Sequence, residues 1–135
     1  MDTKSFVIGW LKREEGFSDK PYTDILGVTT IGYGFTYLTE DEAEIVLKMK
    51  IEKIQKKLSA YLVQNEISID EFRFGVLTDM IYNLGMDGAL KFRKMWKALK
   101  HMDYEEAADQ MLDSRWHKQV PERCELLSRR MRYGY

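Results

Sequence analysis

Most of the chain shows helical periodicity, and one short interval breaks it. Phe6, Val7, Trp10 and Leu11 recur at helical spacing behind Asp2 or Thr3. Either polar residue can cap a first helix reaching about Arg13, and Gly16 is a natural stop. The four apolar residues are expected to form its buried stripe. From residue 17 to 38 the pattern changes. Pro21, Gly27, Gly32 and Gly34 punctuate a segment rich in Tyr, Thr, Val and Ile, which predicts a small β-sheet with tight turns. Val28 to Ile31 is the best strand, and Tyr33 to Tyr37 continues or returns it. A sheet this short must lean on helices.

Helical periodicity then resumes. Thr39-Glu40-Asp41-Glu42 has the form of a capping box, followed by Ala43, Val46, Leu47, Ile51, Ile54, Leu58 and Leu62. Acids crowd the start and lysines follow, as the helix dipole favours. A helix of about 22 residues spans roughly 33 Å, enough to bridge two lobes. Ser68-Ile69-Asp70-Glu71 reads as a second capping box, opening a largely apolar helix closed by Gly85. Its density of apolar residues predicts the central buried helix. Asp87-Gly88 reads as a turn, and Ala89 to about His101 as a basic amphipathic helix. Asp103 caps another helix, and Pro121 opens the last, which runs to about Arg132. The total is about five to seven helices and one small sheet, an α+β chain with no repeat or linker.

Composition narrows the class. With 135 residues, 44% hydrophobic, the chain can form one compact domain with two lobes. The formal net charge of -1 gives no argument for a nucleic-acid partner. Acids concentrate before Glu44, and bases gather later, as at Lys91, Arg93, Lys94, Lys97 and Arg129. A solvated helix face is the ordinary explanation, and attraction of an anionic wall polymer is the functional one. Cys124 is the only cysteine, so no internal disulfide forms, as expected of folding in a reducing compartment. No secretory signal is evident, and the Phe6–Leu11 run is too short to span a bilayer. His101 and His117 share no metal-ligand spacing with Cys124, so neither a metal nor a cofactor is expected. Trp10, Trp96 and Trp116 read as core residues rather than sugar platforms, and the methionines as adaptable core filler. Gly32-Tyr33-Gly34 lacks the lysine of a phosphate loop.

One constellation can carry chemistry. Glu15 stands at a helix end, Asp24 in a turn-rich loop, and Thr30 on the next strand. Glycoside cleavage needs one carboxyl that holds a proton near neutral pH and one that stays ionised, with a group to hold water. Yet two acids and a threonine within sixteen residues are common. On the residues alone, Glu15 reads more readily as a surface acid and Asp24 as a turn residue.

The spacing Glu15-x8-Asp24-x5-Thr30, followed by Ile31-Gly32-Tyr33-Gly34, closely resembles the catalytic signature of the phage-type lysozymes of glycoside hydrolase family 24. Tyr22 and Gly27 also match. Leu38 to Glu44 resembles the start of the family's interlobe helix, and Met80-Ile81-Tyr82-Asn83-Leu84-Gly85 its central-helix motif. Glu105-Glu106-Ala107-Ala108, Ser114-Arg115-Trp116 and Gln119-Val120-Pro121-Glu122-Arg123 resemble its T-even phage branch. Nearly the whole chain is covered, in order.

The resemblance implies a lysozyme-like fold. A small β-lobe covers about 15–38, an interlobe helix about 39–62, and a helical lobe 1–14 with 63–135. It implies an endolysin that hydrolyses the β-1,4 bond between N-acetylmuramic acid and N-acetylglucosamine with inversion, in a cleft between the lobes. Glu15 is then the general acid, Asp24 activates water, Thr30 positions it, and Arg123 holds the catalytic glutamate. Tyr82, Asn83, Gln110 and Thr36 are implied substrate contacts. Peptidoglycan glycan strands are the implied partner of a monomer with no stable membrane anchor, held in the host cytoplasm until holin-dependent release. Two alternatives are a lytic transglycosylase of the same fold and a non-catalytic wall-binding or virion module. The intact set of Glu15, Asp24 and Thr30 argues against both. Three departures stand out. Phe35 occupies a position where the family often has histidine, and Met95 one where the T-even branch has a hydroxyl. The Gly34–Thr39 stretch is short, which implies a reduced small lobe with fewer sugar subsites.

Overall fold

The computed structural model describes residues 2–135, which divide into two compact units, one through Val46 and one from Leu47 to Tyr135. Helices dominate and one small antiparallel sheet accompanies them, the α+β class expected.

In the first unit, α1 (Thr3–Glu15) starts at Asp2, whose carboxylate accepts the Ser5 N–H at 2.9 Å. It ends two residues later than expected, at Gly16, which has φ 68° and donates its N–H to the Lys12 carbonyl. Within its own unit the stripe on α1 is not covered. Phe6 and Trp10 stack on each other and are 43% and 51% exposed, so Trp10 is not part of a core in that unit. The physical reason is the size of the unit, whose other regular structure is a two-stranded sheet too small to cover a helix face.

That sheet pairs β1 (Ser18–Thr23) with β2 (Thr29–Gly32) in an antiparallel hairpin. The β2 strand lies one residue beyond the expected Val28–Ile31. Its main partner precedes it, whereas Tyr33–Tyr37 contributes only an isolated bridge from Phe35 to Ile31. Pro21, which has no N–H to give to a ladder, falls where the register breaks between Ser18 and Tyr22.

The helix α2 (Glu40–Gln64) begins with the expected capping box. Thr39 Oγ1 accepts the Glu42 N–H, and the Glu42 carboxylate accepts the Thr39 N–H at 3.0 Å. That backbone bond, with the hydroxyl, holds the Glu42 carboxyl below the usual range.

In the second unit, α3 (Glu71–Leu84) is capped by Asp70 rather than Ser68. Asp70 accepts the Arg73 N–H at 3.0 Å and pairs with its guanidinium, so the carboxylate displaces the hydroxyl two residues earlier. Arg73 then reaches the last turn of the chain. It donates to the carbonyls of Met131 and Arg132 and stacks on Tyr104, with its guanidinium carbon 3.6 Å from the ring centroid. Asp87-Gly88 is not a free turn but part of α4 (Met86–Leu90). The expected Ala89–His101 helix is broken there, and α5 (Arg93–Lys100) follows without a side-chain cap. The break leaves the Ala89 carbonyl to accept the Trp96 indole N–H at 2.9 Å. The chain continues through α6 (Tyr104–Leu112), capped by Asp103 as expected, and α7 (Arg115–Gln119), capped by Ser114. Last is α8 (Pro121–Tyr133). The described residues thus form eight helices, because short α4 and α7 carry too few residues to show a period.

The core lies among these helices. Leu58 and Leu62 of α2 meet Leu77 and Met80 of α3, Trp96 and Leu99 of α5, Met111 of α6, Trp116 of α7 and Leu127 of α8. Trp96, Trp116 and four of the methionines are buried there, as expected. Cys124 is fully buried, and burial, with the Glu125 charge, pushes its thiol up to about 11.

Candidate active site

Glu15, Asp24 and Thr30 all belong to the first unit, and each is placed by a different local rule. Glu15 is the last residue of α1, so its position follows from the Gly16 stop. Its side chain is exposed and has no hydrogen bond or ion pair among the described residues. It does have a backbone neighbour. The Glu15 carboxyl lies directly over Gly34, where an added Cβ would come within 2.5 Å of Oε2. Gly34 has φ 77° and Gly32 φ 70°, and between them the chain turns so tightly that Ile31 and Phe35 exchange both backbone hydrogen bonds. The Phe35 ring folds over Gly32 in the same way, 2.7 Å from where a Cβ would stand. The Gly-Tyr-Gly segment is therefore a turn with two bare faces, one under an aromatic ring and one under a carboxyl.

Asp24 opens the loop between β1 and β2 and organises it. Its Oδ1 accepts the Leu26 N–H at 2.9 Å and the Val28 N–H at 2.8 Å. Its own N–H donates to the Val28 carbonyl at 2.9 Å, and its carbonyl accepts from Gly27. The turn reading of Asp24 thus holds for one carboxylate oxygen, while Oδ2 has no protein partner among the described residues. Thr30 sits in β2 opposite Tyr22 and is only 4% exposed. Its hydroxyl donates to the Val28 carbonyl at 3.0 Å, which leaves the oxygen lone pairs free to accept. Val28 therefore ties Asp24 and Thr30 together through its N–H and its carbonyl. Thr36, on the same unit, is exposed.

The other site residues expected from the sequence lie in the second unit. Tyr82 is 45% exposed at the end of α3 and lines a cavity of about 540 Å³. Asn83 accepts the Trp116 indole N–H at 2.7 Å, so its carbonyl is already engaged and its amide N–H groups remain. Gln110 donates to Glu106 at 2.7 Å and lines a cavity of about 780 Å³ beside Trp116 and Arg115. Met95 also borders that cavity but is otherwise fully buried. Arg123 donates from Nε at 3.0 Å and from a terminal nitrogen at 2.7 Å, both to Asp79 Oδ1. Asp79 was not singled out in the sequence, although an acid within the apolar run Val76–Ile81 is the available signal. No group of acids, histidines and cysteine suited to a metal occurs among the described residues.

Residues 12–132 match the phage lysozyme family, a span that includes Glu15, Asp24 and Thr30. The chain belongs to the phage lysozyme family. Among individual relatives, the endolysin of Salmonella phage P22 is 28% identical, over 98% of this chain and 94% of its own length. A SAR-endolysin of bacteriophage PS34 is 27% identical over 76% of this chain. The match spans 62% of the length of that SAR-endolysin. A probable T4-type lysozyme of Dictyostelium discoideum is 24% identical over 64% of this chain and 52% of its own. The phage lysozyme fold, small in sheet and rich in helix, is what the two units display.

Proposed function

We propose that this chain is an endolysin that hydrolyses the β-1,4 bond between N-acetylmuramic acid and N-acetylglucosamine in peptidoglycan. The observation that carries the reading is the division of labour among three side chains of one unit. Glu15 presents an uncommitted carboxyl against bare backbone, Asp24 has one oxygen fixed and one free, and Thr30 has a hydroxyl whose proton is already used. Family membership supports assigning these roles to these positions.

In this mechanism Glu15 donates its proton to the glycosidic oxygen as the bond to the anomeric carbon breaks. Asp24 Oδ2 takes a proton from a water that attacks the opposite face of the sugar. Thr30 accepts a hydrogen bond from that water and so orients the lone pair that attacks. The product has inverted configuration, and Glu15 regains its proton from solvent while Asp24 releases its own. Inversion requires room for water between carboxylate and sugar.

Tyr82, Asn83, Gln110 and Thr36 are proposed as glycan contacts, and Arg123 as support for Glu15, with Asp79 anchoring the arginine. The lobe boundaries at about 15–38 and 39–62 belong to the same reading. So do monomeric action and residence in the host cytoplasm before release onto the wall. No helix among the described residues is long and apolar enough to cross a membrane.

Gly34→Ala provides a local test. The left-handed φ costs about 1–2 kcal/mol for a residue with a Cβ, and the added methyl must displace the Glu15 carboxyl. Melting temperature should fall modestly, and kcat on purified walls should fall by more than tenfold. Wild-type turnover in this variant would mean that the glycine does not place the acid.

The reading as a whole is tested by mass spectrometry of muropeptides released from purified Gram-negative peptidoglycan. Hydrated reducing ends are expected. Anhydro-muramyl ends would assign a transglycosylase instead, and no release would leave a wall-binding module.

A further inference from the structure

The basic residues on α2 are not equivalent. Lys48 has Glu44 and Glu52 four residues away on either side, and Lys56 has Glu52. These are ordinary intrahelical charge pairings. Lys50, Lys53 and Lys57 have no acid at three or four residues in either direction, only other lysines (Lys56 beside Lys53 among them) and uncharged neighbours. They share one face, and none makes an ion pair among the described residues. Three like charges on one face repel, which a merely solvated helix has no reason to concentrate there.

These three lysines rim the cavity of about 540 Å³ that Tyr82 also lines. Its remaining walls are apolar, formed by Ile54, Ile81 and Met86, with Gly85 leaving the end of α3 bare. The site therefore pairs an ammonium row with a hydrophobic floor. Lys50 and Lys57 are separated by about 10 Å along the helix, at 1.5 Å per residue. An extended peptide advances about 3.3–3.6 Å per residue, so three residues span the row.

We propose that this groove is a subsite for the carboxylate-bearing peptide branches of the cell-wall polymer. The inference rests on the peptidoglycan reading above and adds a second recognition element to it. The short side chains of such a branch would lie on Ile54, Ile81 and Met86, and its carboxylates would meet Lys50, Lys53 and Lys57. A lipid surface fits less well. An interfacial helix offers the apolar residues beside its basic ones to the bilayer, whereas Ile54, Ile81 and Met86, the apolar residues these lysines rim, are half-buried or buried.

The test uses the full chain carrying Glu15→Gln, titrated by NMR with the synthetic tetrapeptide Ala–γ-Glu–diaminopimelate–Ala. Resonances of Lys50, Lys53, Lys57 and Ile81 should shift, and the shifts should weaken in high salt. Adding Lys50→Gln, Lys53→Gln and Lys57→Gln together should weaken binding about tenfold, the sum of three partly exposed charge contacts. The control Lys48→Gln with Lys56→Gln should leave the affinity unchanged. Circular dichroism verifies that each variant is helical. In the active protein, the triple change should lower the ratio of cleavage on peptide-bearing strands to cleavage on amidase-stripped strands.

Equal peptide affinity with and without the three lysines overturns the inference. So does phosphatidylglycerol-vesicle binding that the triple change abolishes while peptide binding persists. If the unmodified protein cleaves neither type of strand, the lysozyme reading fails, and the peptide titration still reports on the groove.

Discussion

Glu15→Gln is expected to remove wall-lysing activity and leave the fold intact. A positioned general acid contributes about 10²–10⁴-fold to rate, so kcat/KM should fall by roughly a thousandfold, equivalent to about 4 kcal/mol in the barrier. Stability should move in the opposite direction or not at all. Among the described residues Glu15 makes no hydrogen bond or ion pair, and it ends a helix, where exposed carbonyls disfavour a negative charge. Removing that charge should stabilise α1 by about 0.3–1 kcal/mol. Turbidity clearing of permeabilised Gram-negative cells, together with a thermal melt, reads both effects. Clearing above a tenth of the wild-type rate would show that Glu15 is not the acid.

The second large effect concerns Asp24, where two substitutions should separate chemistry from structure. Asparagine keeps an Oδ1 that can accept the Leu26 and Val28 N–H groups but has no carboxylate to receive a proton from water. Asp24→Asn should therefore lose about 10²–10⁴-fold in activity with little change in melting temperature. Asp24→Ala should lose the same activity and also release both amides. Because those bonds are exposed and water can replace them, the cost should be near the low end, about 1 kcal/mol. Hydrogen exchange at Leu26 and Val28 should quicken in the alanine variant only. Substantial activity in Asp24→Asn would reject Asp24 as the base. Equal exchange in the two variants would reject its role in the turn.

The two carboxylates are thus held differently. Asp24 is tied into a loop by its own backbone and could have been identified from either of its roles. Glu15 is held by position alone, at a helix end and over a glycine. This explains why the residues, read one by one, favoured an ordinary surface acid, and why only the ordered spacing to Asp24, Thr30 and the Gly-Tyr-Gly turn marked the site.

Local chemistry written in neighbouring residues was legible without a structure. The Thr39–Glu42 capping box, the Asp103 cap, the Gly16 and Gly85 stops and the Pro21-to-Gly34 change of pattern depend on contacts within a few residues. So does the α+β class, since hydrophobic period follows from backbone geometry. The sequence alone therefore determined most elements and the ordered set Glu15, Asp24, Thr30.

Other features needed the assembled chain. Asp70 prevailed over Ser68 as a cap because Arg73, committed to carbonyls of α8 far along the chain, also pairs with it. Asn83 spends its carbonyl on Trp116 and Arg123 is engaged by Asp79, partnerships between residues dozens of positions apart. Trp10 finds no cover within its own unit, which holds too little surface to supply it. The Gly34 backbone became the seat of the Glu15 carboxyl only when a turn nearly twenty residues on came back to the end of α1. Periodicity reports which face of an element is apolar, but the neighbour that covers it, and the partner a polar group finds, are set by long-range packing.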